Sequence, residues 1–162
     1  MKKKIIVLTL FIIWSGVVFS SGLKIGINGS ELKYQEDQQR KPNYTGQQVQ
    51  DAVNAYRKEL KLRELKTDDF LCNDIFDRYS KMLSGEALTT GHPGFEEWAN
   101  MKLNKYNFSL VGEVFSPYPT VEEVLNGWKG SPGHNDAITK KEYSSVCTYA
   151  GEKGVVLVLG AK

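Results

Sequence analysis

What this sequence has little of narrows it first. Its 21 Lys and Arg nearly balance its 19 Asp and Glu, for a formal net charge of +2. Three of the lysines are Lys2, Lys3 and Lys4, so the chain beyond residue 20 carries −1. It has no basic surplus to follow a phosphate backbone, which excludes a nucleic-acid partner. After Phe19 no stretch reaches the roughly 18 apolar residues of a membrane span, so no transmembrane span is expected in the mature chain. No Cys lies near residue 20, which argues against lipid attachment there. The chain has no internal repeats, no HExxH helix and no G-x-S-x-G elbow, so the common hydrolase signatures are missing. There are only 2 His and 2 Cys. No motif ties either Cys to a His, so a thiol nucleophile is not indicated.

What is present begins with a leader. Lys2, Lys3 and Lys4 precede an apolar run from Ile5 to Phe19, diluted by Thr9, Ser15 and Gly16 and followed by Ser20, Ser21 and Gly22. A positive start, an apolar middle and a small-residue end read as a secretory signal peptide over 1–20. An uncleaved anchor is the alternative, since no A-x-A site is present. The expected location is secreted, periplasmic or cell-envelope. Cleavage after Ser20 leaves 142 residues, enough for one domain with a real core. Residues 21–44 read as a polar linker, because KYQEDQQRKPN has no apolar face to offset its ordering entropy. A short strand at Leu23–Ile27 is the one element that fits there.

Beyond Tyr44 the pattern is helical. Val49, Ala52, Val53, Tyr56 and Leu60 form an i, i+3, i+4, i+7 stripe, with Thr45 as its N-cap. A second helix is expected from about Thr67, with the stripe Leu71, Ile75, Phe76, Tyr79, Met82 and Leu83. Asp68 and Asp69 suit its first turn, and Gly85 with Thr89, Thr90 and Gly91 would end it. A third helix is expected over Phe95–Lys105, with Phe95, Trp98 and Met101 or Lys102 on one side. Ser109–Ser116 reads as a strand. Thr120 and Glu123 form a capping box for a fourth helix, whose stripe is Val121, Val124, Leu125 and Trp128. Gly130, Pro132 and Gly133 stop it. Strands Ser145–Ala150 and Gly154–Leu159 flank a hairpin turn. Helices first and strands after them predict an α+β domain with a small antiparallel sheet.

Both histidines sit in Gly-flanked breaks, His92 in TGHPG and His134 in SPGH. Imidazole is the usual metal ligand and the usual acid or base near neutral pH. Glu113 is the third candidate, within an otherwise apolar strand. Period-two alternation would put it on a face with Val111 and Phe115. A carboxylate facing inward there needs a partner or access to water. If Val114 faces inward instead, Glu113 is a solvated surface residue, and the strand pattern leaves both open.

Four stretches together resemble the CAP superfamily (cysteine-rich secretory proteins, antigen 5 and pathogenesis-related 1), in its compact bacterial, SCP-like form. NAYRKELKLREL, with Asn54, Arg57, Leu62 and Leu65, resembles the family's opening helix. His92 matches the His after the second helix, Gly112-Glu113 the Gly-Glu-Asn strand, and Trp128 with Ser131-Pro132-Gly133-His134 the W-x-x-S-P-G-H segment. The order and spacing of these pieces run over some 110 residues, covering 45–162 as one domain. The resemblance implies an α–β–α sandwich in which His92, Glu113 and His134 line one cleft, with Ser131 and Trp128 beside it. It also implies differences. The family's second acid falls at Ser131, so Glu122 or Glu123 would have to replace it. The Asn after Glu is Val114, and the bacterial Asn-Ile-Leu reads Ala137-Ile138-Thr139.

Two His and a carboxylate with an open position form the ligand type of catalytic zinc. Zn²⁺ or another divalent metal is therefore the cofactor this set could hold, and such a metal could activate water. No catalytic residue is indicated, so an enzyme is left open. Three readings follow: a ligand- or metal-binding module, a metal-dependent hydrolase, or a structural envelope protein with a vestigial cleft. A binding module of this family would take a small apolar ligand or a protein, with Tyr106, Phe108, Tyr118 and Tyr143 as exposed-aromatic candidates. Cys72 and Cys147 are either a disulfide, permitted by export, or two buried thiols.

Overall fold

The computed structural model describes residues 41–83 and 91–162. The expected leader, the Leu23–Ile27 strand and most of the linker lie outside the described residues, as do Gly85, Thr89 and Thr90. Helix α1, Gly46–Glu59, starts at Thr45, whose side chain accepts from the Gln48 amide while Gln48 closes the capping box. Its inner face buries Val49, Val53 and Arg57. The Arg57 guanidinium donates to the carbonyls of Arg63, Ile138, Lys140 and Tyr143 at 2.8–3.2 Å. Asn54 holds Leu65 by both backbone groups, at 3.0 and 2.9 Å. The NAYRKELKLREL stretch thus latches the loop after α1 to the approach to the last hairpin.

Strand β1 is only Lys66–Thr67. The single helix expected next is two, α2 over Asp69–Cys72 and α3 over Ile75–Met82. Asp74 between them has φ 71°, in the left-handed region. The break is supplied by a distant residue. Lys102 Nζ donates to the carbonyls of Phe70 and Asn73 at 2.5 and 2.9 Å, taking acceptors that a continuous helix would have used for its own ladder. The break also re-phases the stripe. Phe76, expected inside, is 59% exposed, and Arg78 joins Ile75, Tyr79 and Met82 on the buried face.

Helix α4 is Phe95–Lys105 and strand β2 is Leu110–Ser116. Helix α5, Val121–Gly130, begins at Thr120, whose oxygen accepts from the Glu123 amide at 3.2 Å. Where a stop was expected, Pro132 opens a further helix, α6, over Pro132–Thr139. A proline at the first helical position has the right φ and no amide to leave unpaired. Strands β3, Ser145–Gly151, and β4, Gly154–Ala161, form the expected hairpin.

The sheet order is β1-β3-β4-β2. β3–β4 and β4–β2 are antiparallel and the short β1–β3 edge pair is parallel. Alternation along β4 divides the core. Val155, Leu157 and Leu159 pack with α1, α5 and α6 through Val49, Val53, Val124, Trp128 and Ile138. Val156 and Val158 pack with α2, α3 and α4 through Leu71, Ile75, Tyr79, Trp98 and Leu103. This is the α–β–α sandwich, an α+β fold, and β2 is its edge strand beneath both helical layers. No helix of the described residues is long and apolar enough to cross a membrane. Cys72 and Cys147 are bonded, with their Cα atoms 5.2 Å apart, joining α2 to β3.

Candidate functional site

The site is built on the middle of β2. Val114 faces the α1, α5 and α6 layer. By alternation Glu113 faces the other layer with Val111 and Phe115. Its side chain is 1% exposed. A carboxylate so placed requires compensation, and α3 delivers it. Arg78 Nε donates to Glu113 Oε2 and its Nη2 to Oε1, both at 2.6 Å, a two-pronged charge-assisted pair. The remaining prong, Nη1, donates to the carbonyl of Pro93 at 2.8 Å. The guanidinium carbon lies 5.8 and 5.9 Å from the rings of Phe95 and Trp98.

His92 stands just before α4, its side chain 30% exposed, with Nδ1 2.9 Å from Glu113 Oε1. Burial alone would raise the Glu113 carboxyl. The hydrogen bonds from Arg78 and His92, reinforced by their charges, outweigh it and hold the carboxyl below its usual range. His134 lies in the first turn of α6, inside a helix and not in the break expected for it. Desolvation, and next the charge of His92, lower its pKa. The two histidines come from opposite helical layers, His92 just before α4 and His134 within α6.

The other candidates sit elsewhere. Trp128 is a core residue, 1% exposed, with its indole N–H donating to Phe115 O at 3.1 Å. Ser131 caps the α5–α6 junction, its carbonyl accepting from the Asn135 amide at 2.8 Å. Glu123 uses its carboxylate to accept from the Thr120 hydroxyl at 2.7 Å, and Glu122 is exposed. Phe108 and Tyr143 are buried, whereas Tyr106 and Tyr118 are half-buried. Among the described residues, no group of three or more His, Cys, Asp or Glu is placed to hold a metal ion.

Arg78 is the residue that sequence reasoning missed. Its signal was a charge three residues after Ile75 and one before Tyr79, on the helical stripe itself. It changes what Glu113 can do. Oε1 already accepts from both Arg78 and His92, and a fixed positive charge lies against both oxygens. A divalent cation would meet that charge first, so Glu113 does not fit a direct ligand's role. A carboxylate behind a ring N–H is instead the usual support of a ligating His.

A family model for the cysteine-rich secretory protein (CAP) family matches residues 50–154, which include His92, Glu113 and His134. An uncharacterised protein of Borreliella burgdorferi is 30% identical over 95 residues, 57% of this chain and 60% of that protein. An outer surface protein of Borrelia burgdorferi has a structure 20% identical with a TM-score of 0.53, over 72% of this chain and 91% of its own. A cysteine-rich secretory protein of Staphylococcus aureus is 16% identical, and an extracellular SCP-domain protein of Bacillus anthracis is 20% identical, both with TM-scores of 0.54. The chain spans 38% and 40% of those two proteins. At such identities the likeness speaks for the fold alone.

Proposed function

The chain belongs to the cysteine-rich secretory protein (CAP) family, and from that premise we propose an exported binding module that holds its ligand through the imidazoles of His92 and His134. Export is supported by the leader-like first 20 residues and by outer-surface and extracellular relatives. The observation that carries the binding reading is the 2.9 Å contact of His92 Nδ1 with the buried Glu113. On this reading Nε2 is the nitrogen that meets a ligand.

Zn²⁺ or another divalent metal is the ligand whose chemistry best matches a pair of imidazoles. His92 and His134 would hold it, with Glu113 behind His92. A metal bound there would supply a Lewis acid; the chain's own residues orient His92 and keep Glu113 ionised. Calorimetric titration of the mature, disulfide-bonded protein with Zn²⁺ near neutral pH tests this. One saturable site, lost in His92→Ala and in His134→Ala, is expected. No binding, or binding indifferent to both substitutions, contradicts it.

A further inference from the structure

We propose that Arg78 is the positioning residue of the cleft, confining Glu113 to a supporting role and fixing His92 with its proton on Nδ1 and its Nε2 lone pair outward. The inference rests on the reading of the cleft given above, and its test uses metal-free protein so that the two can fail separately.

Three features carry it. Arg78 grips both parts that determine the state of His92. Two prongs hold Glu113 at 2.6 Å, and the third holds the carbonyl of Pro93, the residue bonded to His92. The ring's backbone anchor and its hydrogen-bond partner are therefore fixed by one planar group. Next, guanidinium is never deprotonated in proteins and has no acceptor. Glu113 beside it stays ionised and offers His92 only an acceptor, so a neutral His92 must donate from Nδ1. Last, the guanidinium itself has little freedom. It is buried with Phe95 and Trp98 within 6 Å, and it cannot swing away to release the carboxylate without leaving a charge unpaired.

The consequence is a choice of ligand class. With Glu113 occupied, this cluster offers the second ring nitrogen of His92 and no free carboxylate oxygen. Nitrogen donors suit zinc, nickel and copper, whereas calcium and magnesium require oxygens. Arg78 makes that selection without touching the ligand.

The test is the nitrogen spectrum of ¹⁵N-labelled histidine rings in metal-free protein, about two pH units above the ordinary imidazole pKa. Wild-type His92 should show one tautomer, with a protonated Nδ1 and an unprotonated Nε2. Arg78→Gln, which removes the two-pronged grip and frees the carboxylate to rotate, should populate both tautomers. Arg78→Lys keeps the charge without the fork and should restore the single tautomer only in part. Circular dichroism identifies the variants that remain folded. A wild-type His92 protonated on Nε2, or mixed, overturns the proposal without any variant. So does a folded Arg78→Gln or Arg78→Lys chain in which His92 keeps the wild-type tautomer entirely, which would leave Arg78 a merely structural role.

Discussion

At Glu113 three donors converge on two buried oxygens, and this cluster governs the predictions at the scale of single residues. Glu113→Gln leaves the Arg78 guanidinium without a counter-charge, 1% exposed. Breaking a buried pair from one side costs about 3 kcal/mol or more, so the urea midpoint should fall clearly. A change under about 0.5 kcal/mol would mean the pair is not buried as described. The pH dependence has a definite sign. Glu113 and His134 both have folded-state pKa values below their ordinary 4.5 and 6.5. Each therefore adds stability above its unfolded value that is lost as the pH falls through the folded one. Stability should decline on acidification, first below about 6.5 and more steeply below about 4.5. Stability that rises between those values on lowering the pH would contradict the assignment. Alternation left Glu113 two faces in the sequence and the family resemblance implied the cleft; the partner on α3 supplies the physical reason for that face. Arg78 was invisible as a partner because nothing local says which strand a buried helix residue will meet.

Among the elements, α2 and α3 show what local pattern omits. Their stripe is continuous in the sequence, and the break comes from Lys102, about 30 residues further on, capturing two carbonyls. Lys102→Met keeps the length of the side chain but removes the donor to both carbonyls, at about 0.5–1.5 kcal/mol for each part-buried hydrogen bond lost. Amide hydrogen exchange should then quicken across 69–82 more than across α1. Equal protection in the variant would show that the break does not depend on Lys102. Helix α6 was hidden for a different reason. Pro132 and Gly133 punctuate a sequence equally well as a stop or as a first turn, and the choice is made by Ile138 packing into the core. By contrast the starts of α1 and α5 were legible to the residue, since each carries its own cap, although Leu60, expected on the α1 stripe, lies past the helix and is 46% exposed. On β2, a Cβ at Gly112 would collide with the Tyr143 hydroxyl. Gly112→Ala should therefore cost about 1–3 kcal/mol by overpacking, read by thermal unfolding. A neutral result would show that Tyr143 moves freely.

For the molecule as a whole, two helical layers close over one sheet, and one covalent bond ties one of those layers to the sheet. Cys72–Cys147 joins residues 75 apart, and in the loop-entropy model removing such a link costs about 4 kcal/mol. Urea unfolding with and without reductant should differ by that order, and thiol counting in denaturant without reductant should find none free. Two titratable thiols would contradict the bond. The α+β class was legible because helix and strand periodicities differ along the chain, whereas the layering into a sandwich was implied only by the family resemblance. The cleft was legible only in its residue types, because its geometry depends on an edge strand that both helical layers overhang. The central claim is that a ligand enters there through two imidazoles with Glu113 behind. Histidine-ring NMR during a Zn²⁺ titration tests it most directly. The account predicts that the His92 Nε2 and His134 ring signals shift together and saturate near one equivalent, while His92 Nδ1 stays protonated. Shifts confined to one ring, or loss of the Nδ1 proton as Glu113 turns to the metal, would contradict it.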